Sequence, residues 1–196
     1  MKEKVEFEDL VIWMYDDHFD IKHSENRIFH SFNSKFLSGY EDALIVASLF
    51  DSDGSLEDFG SDYLSNYRRL FGSRRIHLSS LFNSGFLNTS YDLSFCFDLR
   101  KILSAENSQV CDHDRLTDVL LYGNFDKVGN IFKDEDDFEF GDEVLLPELD
   151  LKSALYVLTY SESANETINN STFLKNIKRI DISDFRKKAV ELYFKH

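Results

Sequence analysis

The chain has 196 residues, 42% hydrophobic and 30% charged, with 19 Phe, 9 Tyr, one proline and eight glycines. This length and apolar content suit a single domain with a real core and exclude a disordered chain. The net charge of −14 repels nucleic-acid phosphates and anionic membrane surfaces, and suits either plain solubility or a basic protein partner.

Residues 5–15 read as a strand or short buried segment, and 16–35 as a polar loop with a turn of helix. From Tyr40 to Phe50, the placing of Leu44, Ile45, Ala47, Ser48 and Leu49 suits a helix with one buried face. Asp51-Ser52-Asp53-Gly54 is a turn, and 55–66 a second helix with Leu56, Phe59, Tyr63 and Leu64 inward. Short apolar runs then alternate with Gly, Asn, Ser and Asp, predicting strands near 66–71, 75–78, 86–89, 93–99, 118–122, 129–132, 143–147, 154–160 and 176–182. Residues 98–106 suit a short helix. Ser183 reads as the N-cap of a closing helix with Phe185, Ala189, Leu192 and Tyr193 at helical spacing and Lys195 and His196 in its last turn. One domain is expected over 1–196: a mainly helical part to 65, a sheet core over 66–182 and a helix over 183–196. Its class is α+β, with N-terminal helices, two packed and mainly antiparallel sheets, and a C-terminal helix.

Cys96 and Cys111 do not make a disulfide framework, and a reducing compartment fits them. The run Leu10 to Tyr15 is too short for a signal peptide, and no stretch reaches the roughly 18–20 apolar residues of a membrane span. The expectation is a soluble protein, intracellular where it acts, a host cell reached by secretion included.

Three segments carry the functional signal: Asn66-Tyr67-Arg68, Gly85-Phe86-Leu87-Asn88-Thr89-Ser90 and Gly141-Asp142-Glu143-Val144-Leu145-Leu146-Pro147. An arginine can hold a pyrophosphate, hydroxyls can orient a carboxylate, and a carboxylate can face a positive charge developing on a ribose. The segment from Gly85 to Phe97 resembles the strand-then-helix segment of mono-ADP-ribosyltransferases, Glu143 to Pro147 resembles the strand opened by that family's catalytic glutamate, and Tyr67-Arg68 its aromatic-arginine pair. The resemblance covers roughly 64–160 and implies a split-barrel fold, NAD as co-substrate, and transfer of ADP-ribose to a protein side chain with release of nicotinamide. It implies Glu143 as catalyst at the ribose 2′-hydroxyl, Ser90 orienting Glu143, Thr89 supporting the strand end, and Arg68 binding the NAD phosphate. It also places Asn88, Phe95 and Phe97 against the cofactor. Phe138, Glu139, Phe140 and Gly141 fall in the loop that meets the substrate, which suits a monomer acting on a basic protein surface. Such stand-alone domains are typical of bacterial toxins, effectors and phage proteins. The chain departs from the family in having Asn88 for Ser, and Gly141 where arginine-modifying members carry Glu. The acceptor is therefore left open.

Each piece also has a plainer reading: Arg68 on the surface beside a sheet, Asn88-Thr89-Ser90 as a turn, Glu143 as the polar start of an edge strand. His18, Asp20 and His23, and likewise Asp112, His113 and Asp114, lack zinc-site spacing and read as surface residues. Arg68, Arg69, Arg74, Arg75 and His77 form a basic patch suited to a cofactor phosphate or a nucleic acid, the second opposed by the net charge of −14. No Gly-rich phosphate loop is present, and no His is paired with either Cys. The alternative function is an acidic, non-catalytic inhibitor or immunity-like protein covering a basic surface; a catalytically dead scaffold is the third.

Overall fold

Strands whose residues are apolar on both sides are buried on both faces, and here they stack two sheets between helices. The computed structural model describes residues 26–39, 44–46, 60–81, 84, 86, 88–139 and 141–193. The first sheet has the order β1 (Arg27–Phe32), β4 (Leu93–Asp98), β9 (Tyr156–Thr159), β10 (Arg179–Asp181). The second runs β3 (Ile76–Leu78), β7 (Glu143–Leu146), β5 (Gln109–Cys111), β6 (Phe132–Lys133). All their pairings are antiparallel except β9 with β10, between which lies a helix, α4 (Glu162–Asn170). A small ribbon pairs β2 (Leu44–Val46) with β8 (Glu148–Asp150). Backbone bonds of 2.8 and 3.0 Å between Phe29 and Ser79 join the two large sheets. The class is α+β, with two mainly antiparallel sheets and a closing helix, as the residue pattern implies.

The alternation of side chains builds four layers. Ile28, Phe32, Phe95 and Phe97 from the first sheet meet Ile76, Leu78, Val110, Val144 and Leu146 from the second in the central core. The other face of the first sheet, with Phe29, Cys96 and Leu158, is covered by α5 (Ser183–Tyr193) through Phe185 and Ala189. The other face of the second sheet, with Cys111 and Leu145, lies under α1 (Gly60–Phe71) and α3 (His113–Tyr122) through Tyr67, Leu116, Val119 and Leu120. The short α2 (Leu99–Leu103) follows β4, capped by Asp98. Among the described residues no helix is long and apolar enough to cross a membrane.

Several elements differ from expectation. Residues 27–32 are a strand, not loop, because Ile28, Phe29 and Phe32 alternate into two cores. Leu44–Val46 is a strand, not part of a helix. Residues 66–71 continue α1, since Tyr63, Tyr67, Leu70 and Phe71 share one side at helical spacing. Residues 118–122 belong to α3, whose Leu116, Val119 and Leu120 face inward. Residues 88–90 form a turn rather than a strand end, and α4 was not anticipated. Ser183 is the first helical residue of α5, its N–H and hydroxyl both donating to Asp181. Residues 5–15, the turn 51–54, His18, Asp20, His23, Lys195 and His196 lie outside the described residues.

The start of α3 depends on Asp112, whose carboxylate accepts the Arg115 backbone N–H at 3.0 Å. Asp112→Ala is expected to cost about 1 kcal/mol, the usual loss for an N-cap, read as a lowered midpoint in urea.

Candidate functional site

Val144 and Leu146 of β7 enter the central core, so Glu143 and Leu145 project to the side covered by α1 and α3. Ile76 and Leu78 likewise face the core and turn His77 toward the helices. The register sets His77 opposite Leu145 and Cys111 opposite Glu143. His77 thus stands diagonal to Glu143, within reach of a long side chain. Two residues beyond Cys111 the chain enters α3, which makes His113 its first residue and places it over the same carboxylate. Tyr67 comes down from α1.

Glu143 is 7% exposed. Its Oε1 lies 2.5 Å from His113 Nδ1 and its Oε2 2.7 Å from His77 Nδ1. An ionised carboxylate can only accept, so each Nδ1 carries a proton and donates it. His77 Nε2 is 2.9 Å from the Tyr67 hydroxyl, which accepts the Arg75 backbone N–H at 3.0 Å. His30 Nδ1 donates to the His77 carbonyl at 2.9 Å, fixing the strand that carries it. The His113 side chain is 29% exposed, and among the described residues its Nε2 has no hydrogen-bond partner. The neighbouring Asp142 is neutralised separately, by Lys133 at 3.0 Å, which also holds Glu139 at 3.0 Å.

Burial alone would raise the Glu143 carboxyl, but the two neighbouring imidazoles, His77 and His113, outweigh it and bring it down to about 2. The same hydrogen bond to Glu143 raises His113 above its ordinary value, against the opposing effect of burial, with Asp114 and Asp112 adding to the rise. Burial pushes the Cys96 thiol up to about 12; burial and the nearby Glu143 do the same for Cys111. Both thiols are therefore protonated at neutral pH and poor nucleophiles. The site offers a fixed negative charge, two oriented imidazoles and one ring nitrogen facing outward. That is equipment for moving a proton.

Of the residues expected to form an NAD site, Glu143 stands at the centre and the others do not join it. Arg68 is exposed on α1, one residue past the inward Tyr67. Ser90 does not orient Glu143: both carboxylate oxygens bond to imidazoles, and Ser90 lies in an exposed turn, its N–H bonded to Asn88 Oδ1 at 3.0 Å. Asn88 and Thr89 are exposed in that turn, so Thr89 supports no strand end. Phe95 and Phe97 are 0% and 1% exposed in the central core, Phe95 stacked on Phe32 with ring centres 5.6 Å apart, and cannot meet a nicotinamide. Phe138 packs half-buried against the core, while Glu139 and Gly141 are exposed; Phe140 lies outside the described residues.

His77 and His113 are what the sequence reading missed as partners of Glu143. One signal for His77 was present: a lone polar residue between Ile76 and Leu78 in a short apolar strand. For His113 it was the capping Asp112 just before it, which marks a helix start. No protein-family model, curated protein or solved structure matches the chain.

The Glu143 carboxyl sits at about 2 in the folded protein against an ordinary 4.5, which corresponds to about 3 kcal/mol of stability. Because the folded value is the lower one, this stability is present above pH 4.5 and is lost as pH falls toward 2. His113 is raised, so its share is complete below its ordinary 6.5 and lost as pH rises through the higher folded value. Urea unfolding across pH is expected to show both limbs in the native chain, with Glu143→Gln flattening both.

Proposed function

We propose that this chain is an enzyme of hydrolytic or group-transfer chemistry, in which an imidazole held by Glu143 takes the proton of a water or hydroxyl nucleophile and returns it to the leaving group. The observation that carries this is the single buried carboxylate receiving Nδ1–H bonds from His113 and His77 at 2.5 and 2.7 Å. A carboxylate bonded to one ring nitrogen sets the tautomer and aims the other nitrogen, which is how an imidazole is made into a directed base. Glu143 is ionised at every physiological pH, so it also stabilises the imidazolium formed when the proton is taken. His113 Nε2 has no hydrogen-bond partner among the described residues, whereas His77 Nε2 is engaged by Tyr67.

A second reading keeps NAD as substrate and an ADP-ribosyl transfer to a protein with a basic surface. What supports it is Glu143 itself: an ionised carboxylate opening a strand, with Tyr63 and Tyr67 close enough to feel its charge. A fixed charge of that kind favours an oxocarbenium-like ribose. Here Glu143 must release one imidazole to reach a ribose hydroxyl, and the orienting role lacks Ser90 at the carboxylate.

One set of assays separates them. The native chain, His113→Gln and Glu143→Gln are offered NAD, a p-nitrophenyl ester and a p-nitrophenyl phosphodiester. The first reading expects a turnover that falls by about 10²–10⁴-fold in both variants, the usual loss of a general base, with the melting transition retained in His113→Gln. Nicotinamide release that needs Glu143 and survives His113→Gln supports the second. A turnover indifferent to both substitutions overturns both readings.

A further inference from the structure

The two imidazoles on Glu143 are alike toward the carboxylate and unlike on their far sides. His113 Nε2 faces outward without a partner among the described residues. His77 Nε2 faces the hydroxyl of Tyr67, a residue 2% exposed. The Tyr67 oxygen already accepts the Arg75 backbone N–H at 3.0 Å. Its own hydrogen needs an acceptor, since a buried donor left unmade is costly. Among the described residues, His77 Nε2, at 2.9 Å, is the acceptor within reach. A nitrogen that accepts carries no proton, whereas His77 Nδ1 must carry one to bond the ionised Glu143.

From this proton count we infer that Tyr67 holds His77 as a neutral Nδ1–H imidazole, leaving His113 as the imidazole that takes up and gives back the working proton. His77 is then a positioning residue. It fixes one carboxylate oxygen so that the other stays on His113, and Tyr67 fixes His77. The inference rests on the acid–base reading of the site. Among the described residues, the charged and titratable groups around the pair are Glu143 from β7, Asp112 and Asp114 at the start of α3, Tyr63 and Tyr67 from α1, Cys111 from β5, Arg75 just before β3, and His30 from β1 at the His77 carbonyl. Glu143, Asp112 and Asp114 all favour the proton on His113. A second imidazolium on the same carboxylate would face the first as a like charge.

The test needs no substrate. Histidine side-chain ¹⁵N–¹H spectra of the intact chain are recorded from pH 5 to 9, with His77→Gln and His113→Gln supplying the assignments. The expected result is one titrating ring at His113 and a His77 ring that keeps the Nδ1–H neutral pattern throughout. Tyr67→Phe keeps the ring and removes the hydroxyl. It is expected to release His77 Nε2, so that His77 begins to titrate while His113 still does. A His77 ring that is doubly protonated near neutral pH in the native chain overturns the inference, as does a His77 ring unchanged by Tyr67→Phe in a folded variant. If the spectra follow expectation but no turnover depends on His113, the enzyme reading fails and the proton count stands.

Discussion

A carboxylate carried into the interior has to be neutralised where it sits, and the helix-covered side of the second sheet is arranged around that need. Removing an ionised carboxylate from water costs several kcal/mol even after relaxation, while a hydrogen bond to a charged group contributes about 1.5–3 kcal/mol. Two such bonds reach Glu143, from His113 and His77. The two sides are close in size, so removing either hydrogen-bond donor outright leaves a charge the interior cannot hold, whereas a Gln amide at either position can still donate. This couples elements that are distant in sequence: His77 and Glu143 are 66 residues apart, His113 and Glu143 are 30 apart.

The cluster also draws stiffness from where its members stand. Glu143 and His77 are on paired strands, and His113 sits in the first turn of a capped helix. Side chains on strands and helices are held more closely than those on loops, and a proton-transfer group gains from that. The strand bearing His77 is tied to the first sheet twice, through the Phe29–Ser79 backbone pair and through His30 on the His77 carbonyl. The two-sheet core therefore sets the geometry of a site that lies outside it.

Much of the layering could be read from residue order. Leu93-Ser94-Phe95-Cys96-Phe97 and Tyr156-Val157-Leu158-Thr159 are unbroken, largely apolar runs of strand length, and both became interior strands. Glu143 was legible as a charge opening such a run. Other elements were hidden for definite reasons. Arg27-Ile28-Phe29-His30-Ser31-Phe32 mixes polar and apolar residues because its two faces enter different cores, and Ser31 is bonded to Ser94. The run Val119-Leu120-Leu121-Tyr122 has the apolar density of a strand, yet only Val119 and Leu120 are buried while Leu121 and Tyr122 are exposed, a helical face with its edge in solvent. Helix α4 buries only Ala164 and Ile168, too few to register as a stripe. The partners of Glu143 were out of reach for a different reason: strand register and helix packing bring them together, and neither is local.

The segment around Asn88-Thr89-Ser90 shows how similar letters can serve different physics. Asn and Ser compete for their own backbone, and here that competition wins: Asn88 Oδ1 takes the Ser90 N–H and closes a turn. Arg186, 8% exposed on α5, then fastens the segment from below, its Nε donating to the Phe86 carbonyl at 2.8 Å and its other arm to the Asn88 carbonyl, while its guanidinium lies over the Tyr160 ring. Buried carbonyls without strand partners must find donors somewhere, and a planar guanidinium can serve two at once. The arginine so placed is spent on backbone rather than on a phosphate. The backbone of this segment accordingly belongs to the architecture that fastens α5, and the chemistry that Glu143 can perform is decided by the imidazoles on it.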